Sequence, residues 1–289
     1  MTLSVLILTR NEEHDLPECL ASLDWCDDVV IYDSYSTDRT ESIAIEAGAR
    51  FVRRPGQDLS IAFGGDEAYH RTWALRHIPF HHSWLLVLDA DERLSSDARL
   101  EILHLLSTAA SKYSQSTQPA PVAYQLRRRD YFYGRHLKHV QATPWYVRLF
   151  RPQFVHYERL VNPVTVVNGP VGSLKGCIDH FPFSKGIYHW IARHNTYSTL
   201  EAQELFTVSF ETSLSALFCA FFSSHFTQRR FYQKQLFNRL PARPVIKFAW
   251  LYFFKLGFLD GRPGFAYALL QSIYEYFILL KSQELNRPL

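Results

Sequence analysis

Three short apolar runs, each breaking off into polar and acidic residues, constrain this chain more than anything else in it. Leu3-Ser4-Val5-Leu6-Ile7-Leu8 runs into Thr9-Arg10-Asn11-Glu12, and Val29-Val30-Ile31-Tyr32 runs into Asp33-Ser34-Tyr35-Ser36-Thr37-Asp38. Trp84-Leu85-Leu86-Val87-Leu88 runs into Asp89-Ala90-Asp91-Glu92-Arg93. Unbroken aliphatic runs suit strands of a parallel sheet covered on both faces. Between the first two runs, Asp15 with Glu18 has the spacing of a helix-starting capping box. Asp38 with Glu41 repeats it, and Gly48 suits the close of that second helix. Strand and helix alternating at this pace predict βαβ units with right-handed crossovers, hence an α/β fold. Open α/β sheets bind ligands at the carboxyl edge of their strands, and here that edge receives Asn11, Asp33, Asp89 and Asp91.

Side chains alternate along a strand, so Asp89 and Asp91 are expected to project to one side. Two adjacent carboxylates repel each other unless a cation lies between them, and oxygen ligands suit Mg²⁺ or Mn²⁺. An ion so placed can hold a diphosphate. The alternative is that Asp89 caps a loop and Asp91 is solvated.

Composition bounds the answer without naming it. A chain of 289 residues can bury a large domain with an appendage, and 47% hydrophobic against 20% charged residues argues against disorder. A formal net charge of +3 is too mild to imply nucleic acid, and Arg127-Arg128-Arg129-Asp130-Tyr131-Phe132 matches no RNA-binding signature. Cys19, Cys26, Cys177 and Cys219 lack metal-binding spacing and read as reduced thiols of a cytosolic protein. The first strand begins almost at once, so no signal peptide is expected.

Seven motifs occur in order: Leu8-Thr9-Arg10-Asn11-Glu12-Glu13, Asp33 to Thr40, Leu88-Asp89-Ala90-Asp91-Glu92-Arg93, Tyr146-Val147-Arg148-Leu149-Phe150, Asn168-Gly169-Pro170-Val171-Gly172, His194 to Ala202 and Gly257-Phe258-Leu259-Asp260-Gly261. The ordered set resembles inverting family 2 glycosyltransferases of the GT-A fold, and is most similar to bacterial lipopolysaccharide-core and exopolysaccharide enzymes. The resemblance implies a donor that is a nucleoside diphosphate sugar, a UDP-sugar foremost. Thr9, Asn11, Glu12 and Asp33 would hold its base and ribose, Asp89 the ribose or the metal, and Arg148 would lie near the diphosphate. Asp91 and a late histidine, His180, would hold Mg²⁺ or Mn²⁺. Inversion also needs a carboxylate as general base. In register with relatives that position falls on Pro163, which cannot accept a proton. Glu158 is the nearest carboxylate and the favoured base, with Asp130 and Asp179 as alternatives.

Elsewhere, Arg53, Arg54 and Arg71 read as solvated basic surface, with phosphate contacts as the alternative, Asp66 to Arg76 as a short helix, and Ser107 to Pro121 as a surface loop. His70 and Thr72 stand where relatives often carry Gln and Asn. Strands are expected at 122–127, 145–150 and 164–167. Residues 1–185 form the expected catalytic domain and residues 186–289 a helical region. That region comprises an amphipathic helix from Tyr188 to Leu205 and apolar stretches at 214–222 and 245–258. It also holds a basic one at 228–234 and a bend at Gly257–Gly261. None has the roughly 20 apolar residues of a membrane span. Aromatic and basic borders suggest helices lying in a membrane surface, with packing against protein as the alternative. The expected location is therefore peripheral, at the inner face of the cytoplasmic membrane, with a lipid-linked or polysaccharide acceptor. Two other classes compete. A nucleotidyltransferase would open with a Gly-rich phosphate loop, which is absent from Thr9–Glu12. A non-catalytic relative that only binds nucleotide sugar is motivated by Pro163.

Overall fold

The computed structural model describes residues 3–55, 67–113, 119–141, 143–158, 163–207, 237, 240 and 242–286. They divide into two compact units, Met1–His136 with Thr143–Ile187, and Leu137–Ala142 with Tyr188–Leu289.

The first unit follows the expected alternation: β1 (Leu3–Thr9), α1 (Leu16–Ala21), β2 (Asp28–Asp33), α2 (Thr40–Glu46), β3 (Arg50–Arg53), α3 (Glu67–His77), β4 (Trp84–Asp89), β5 (Glu92–Leu94) and α4 (Ser96–Tyr113). Then come β6 (Ala123–Phe132), β7 (Arg135–His136), β8 (Trp145–Phe150), β9 (Val155–Glu158), β10 (Val164–Val167) and β11 (Val171–His180). The main sheet runs β3-β2-β1-β4-β8-β6-β11-β5, with β7 paired to β6. Strands β1 to β4 are mutually parallel, and β8 lies antiparallel between β4 and β6. This is an α/β GT-A-like arrangement. Strands β9 and β10 form a separate antiparallel pair.

The aliphatic runs are buried on both faces because each strand feeds two cores. Val5 and Ile7 of β1 pack with Leu86 and Leu88 of β4 beside Leu16, Cys19 and Ile102. The intervening Leu6, with Leu85 and Val87, packs against Ala74, Leu75 and Ile78 on the other face. Each such side chain contributes about 1.5–3 kcal/mol by leaving water. Gly48, at φ +74°, closes α2 as expected.

The helix starts differ from expectation. Asp15 precedes α1 without capping it and instead accepts a hydrogen bond from Ser184 Oγ (2.8 Å). Asp38 accepts the Thr40 backbone N–H (3.0 Å) and also that of Glu13 (3.0 Å), so it ties two loops together as well as starting α2. The loop expected from Ser107 is helical through Tyr113, because α4 continues past the polar residues.

The second unit is helical. It contains α5 from its Tyr188 onward (the whole helix is Gly186–Thr207), α6 (Arg243–Ala249), a π-turn (Trp250–Phe254), a 3₁₀ turn (Gly257–Asp260) and α7 (Gly261–Asn286). The expected bend is thus the 3₁₀ turn, entered through Leu256 at φ +58°. The stretches at 214–222 and 228–234 lie outside the described residues. No helix among the described residues is long and apolar enough to cross a membrane. His194 stacks on Trp190 (3.5 Å between ring centres) and meets the edge of Tyr274 (5.0 Å). The buried Asp260 carboxylate accepts three successive backbone N–H groups, from Lys138 (3.1 Å), His139 (2.9 Å) and Val140 (2.8 Å). It therefore fastens the Leu137–Ala142 excursion to this unit. Asp260→Ala leaves three donors without their acceptor and is expected to cost about 3 kcal/mol or more, read as a lower midpoint in chemical denaturation.

Candidate active site

The turn from β4 to β5 organises the site. Asp89 ends β4, Ala90 and Asp91 make the turn, and Glu92 begins β5, which leaves to pair with β11. The turn interrupts strand alternation, and the two aspartates are held by different partners. Asp89 accepts from Arg71 of α3 (2.8 Å) and from Arg148 of β8 (2.9 Å). Asp91 Oδ2 lies 3.4 Å from His180 Nε2.

Arg148 binds two carboxylates at once. Its guanidinium also donates to Glu92 (2.6 Å), and Glu92 in turn accepts the Asp89 backbone N–H (3.0 Å). Arg148 is 8% exposed and Glu92 fully buried. Its described partners are thus the two carboxylates rather than an open cleft. Burial favours the neutral carboxyl, but Arg148 and Arg71 override it at Asp89 and hold its pKa well below the usual carboxylate range. At Glu92 burial wins and the pKa is raised. Arg71, read from sequence as solvated surface, is instead largely enclosed, its guanidinium near the Tyr157 ring (5.7 Å). Its neighbour Thr72 accepts the Tyr157 backbone N–H (3.2 Å), which fixes β9 against α3.

The loops after β1 and β2 are laced into one surface. Asp33 accepts from Thr9 Oγ1 (2.8 Å), Ser36 N–H (2.8 Å) and Ser36 Oγ (2.5 Å). Asn11, at φ +56°, accepts the Thr37 N–H (2.8 Å), and its own N–H donates to Ser36 Oγ (2.7 Å). Glu12 pairs with Lys185 (2.7 Å), which also donates to the Asn11 carbonyl (2.8 Å). Burial drives the Glu12 pKa up to about 7 against the pull of Lys185. So Thr9, Asn11, Glu12 and Asp33 do converge. Lys185 and Glu92, which the sequence reading missed, hold them and the acidic turn in place. Lys185 follows the expected metal histidine by five residues, a signal available only once that histidine is placed.

On the far side of the turn, His180 ends β11 directly beside Asp130 of β6 and Glu92 of β5. Its Nδ1 meets Asp130 Oδ1 in a short contact. Burial disfavours the imidazolium, yet Asp91 and then Asp130 raise the His180 pKa to about 9. The donor set fits an octahedral cation: ligands at about 2.1 Å and right angles stand about 3 Å apart, close to the Asp91–His180 spacing. Among the described residues no three Asp, Glu, His or Cys side chains gather to complete a shell. Such an ion would take its remaining ligands from substrate phosphate and water, as Mg²⁺ commonly does.

Of the three candidate bases, Asp130 is buried between His180 and Arg128, and Asp179 receives two hydrogen bonds from Arg129 (2.6 and 2.9 Å). Glu158 ends β9 with its side chain 61% exposed, 3.2 Å from His156. The electrostatic core of the site is also its structural weak point. Arg148→Met strands Glu92 without its cation and is expected to cost about 3–5 kcal/mol in thermal or chemical unfolding. Adding Glu92→Gln should recover most of that loss.

Comparison with known proteins bears on the whole arrangement. Residues 4–163 match the model of glycosyl transferase family 2. The lipopolysaccharide core biosynthesis glycosyltransferase LpsC of Rhizobium meliloti is 28% identical over 97% of this chain and 92% of its own length. An uncharacterized glycosyltransferase of Rickettsia typhi, RT0209, is 23% identical over 98% of this chain and 87% of its own. The glucosyl-3-phosphoglycerate synthase of Mycobacterium tuberculosis, solved with Mn²⁺, UDP and glucosyl-3-phosphoglycerate, is 23% identical over 46% of this chain and 44% of its own, with a TM-score of 0.30. The chain belongs to glycosyltransferase family 2.

Proposed function

We propose that this family 2 enzyme moves a sugar, with inversion, from a nucleoside diphosphate sugar to a lipid-linked or lipopolysaccharide-type acceptor. The observation that carries the reading is the single edge on which the laced β1 and β2 loops meet the β4–β5 turn and the Asp91–His180 pair. Thr9, Asn11, Glu12 and Asp33 frame the pocket for base and ribose, UDP being the favoured nucleotide. Asp89 borders the ribose, and Arg148 holds Asp89 in place beside the diphosphate. Asp91 and His180 would hold Mg²⁺ or Mn²⁺, which supplies Lewis-acid neutralisation of the diphosphate.

Glu158 is the proposed base. Its direct cross-strand partner is Val164, the residue after Pro163. The register position that relatives fill with Glu is therefore next to Glu158 across the hairpin, and this supports the assignment despite the proline. Glu158 takes the proton of the acceptor hydroxyl as that oxygen bonds to the anomeric carbon. The bond from that carbon to the phosphate oxygen breaks on the opposite face, and its electron pair leaves with the nucleoside diphosphate.

The second unit is assigned to a membrane surface, at the inner face of the cytoplasmic membrane. Trp250, Phe253, Phe254, Phe258 and Leu259 are all about half exposed or more, with Lys247 and Lys255 among them. Aromatics bordered by cations suit the headgroup boundary of an anionic bilayer. A lipopolysaccharide-type acceptor agrees with that location and with the similarity to LpsC.

The test is nucleoside diphosphate release from a panel of UDP-, GDP- and dTDP-sugars, with Mg²⁺ or Mn²⁺, with and without bacterial lipid extract. Release that requires one donor, the cation and lipid is the expected result. Nucleotide binding with no release under any condition would instead favour the non-catalytic reading. Asp91→Ala is expected to abolish release together with most cation-dependent nucleotide binding; unchanged turnover in that variant would remove Asp91 from the metal site. Glu158→Gln should keep nucleotide affinity while lowering turnover at least about a hundredfold. Normal turnover there would move the base elsewhere.

A further inference from the structure

Asp130 is a buried carboxylate that no step of the proposed reaction uses. It sits on β6 in direct register with His180 of β11, so the two side chains share one face of neighbouring parallel strands. Asp130 is 3% exposed, its Oδ1 in short contact with His180 Nδ1 and 3.1 Å from Arg128 Nε. Arg128 is itself set over the Tyr146 ring at 4.7 Å. The order Arg128, Asp130, His180, Asp91 therefore crosses from the interior of the sheet to its edge, with the imidazole between two carboxylates. An imidazole has only two ring nitrogens. One that is engaged by a fixed acceptor leaves the other with a defined direction, and here that direction is toward Asp91.

We propose that Asp130 is a positioning residue for the cation site: it accepts the Nδ1 proton of His180 and so turns the Nε2 lone pair toward the ion shared with Asp91. The inference rests on the assignment of Asp91 and His180 as metal ligands. A carboxylate behind a ligating histidine fixes the ring and its tautomer, and losing one weakens metal affinity about 10–100-fold. A merely structural Asp130, present to neutralise Arg128, would act on stability and leave cation affinity alone. Asp130 Oδ1 faces both His180 Nδ1 and Arg128 Nε.

The experiment is a Mn²⁺ titration followed by electron paramagnetic resonance, in the presence of UDP, GDP or dTDP. It compares the unmutated chain, D130N, H180A and the double variant, with nucleotide binding in EDTA and thermal melting run alongside. D130N is expected to weaken Mn²⁺ binding about 10–100-fold in the unmutated background and less than about twofold in H180A, since coupled residues are non-additive. Nucleotide affinity in EDTA should not change. Unchanged Mn²⁺ affinity in D130N, or the same loss in both backgrounds, overturns the inference and leaves the metal assignment standing. Failure of the unmutated chain to bind Mn²⁺ with any of the nucleotides removes the metal assignment and the inference with it. If D130N does not fold, Asp130→Glu, which keeps the charge but displaces the carboxylate, is read by the same comparison.

Discussion

The buried bridge from Arg148 to Asp89 and Glu92 is the interaction on which the rest of the site depends. Three carboxylates within four residues, Asp89, Asp91 and Glu92, would repel one another at the end of a strand walled by Leu86, Leu88 and Phe150. A guanidinium entering from the antiparallel neighbour β8 binds two of them at once (2.9 and 2.6 Å). Both hydrogen bonds leave from one terminal nitrogen, Nη2, which thus bridges the two carboxylates. With Asp89 and Glu92 both held by Arg148, the third carboxylate, Asp91, pairs with His180 instead.

Charge is consequently sorted on the two sides of the turn. On the α3 side two arginines hold Asp89 ionised. On the β11 side the His180 imidazole lies between the Asp91 and Asp130 carboxylates, and Arg128 stands behind Asp130. The buried charges are costly to desolvate, and each is tolerated only because a partner approaches within hydrogen-bonding distance. Residues remote in sequence, Arg71, Arg128 and Arg148, supply those partners. The site is thus a property of the folded sheet rather than of the acidic motif alone.

This explains what could be read from the sequence. The parallel strands were legible because Leu3–Leu8, Val29–Tyr32 and Trp84–Leu88 announce burial on both faces, and the loops that follow them fall on one edge whatever the details of packing. The pairing of Asp91 with His180 was legible only through family resemblance, since they are 89 positions apart and no spacing rule links them. Arg71 could not be read: a basic residue on a weakly amphipathic helix looks solvated until β9 is known to pack against it. The capping box at Asp15 misled for a related reason. Asp15 has the local spacing to cap α1, but the tertiary partner Ser184 takes its carboxylate instead.

The same competition for carboxylates bears on the base. A proton acceptor must be reachable by the acceptor hydroxyl and must not be committed to a strong cation. Asp130 fails on burial and on its pairing with Arg128 and His180. Asp179 is gripped in two places by Arg129. Glu158 sits at the loop end of a two-stranded pair outside the main sheet, exposed and bonded to a histidine rather than to a guanidinium. The hairpin is in turn fixed through Tyr157, whose backbone donates to Thr72 and whose ring lies near Arg71. A base on β9 would therefore be referenced to the helix whose arginine holds Asp89. In our reading that shared support sets the distance between the proton acceptor and the leaving diphosphate, with α3 and β8 acting as the common frame.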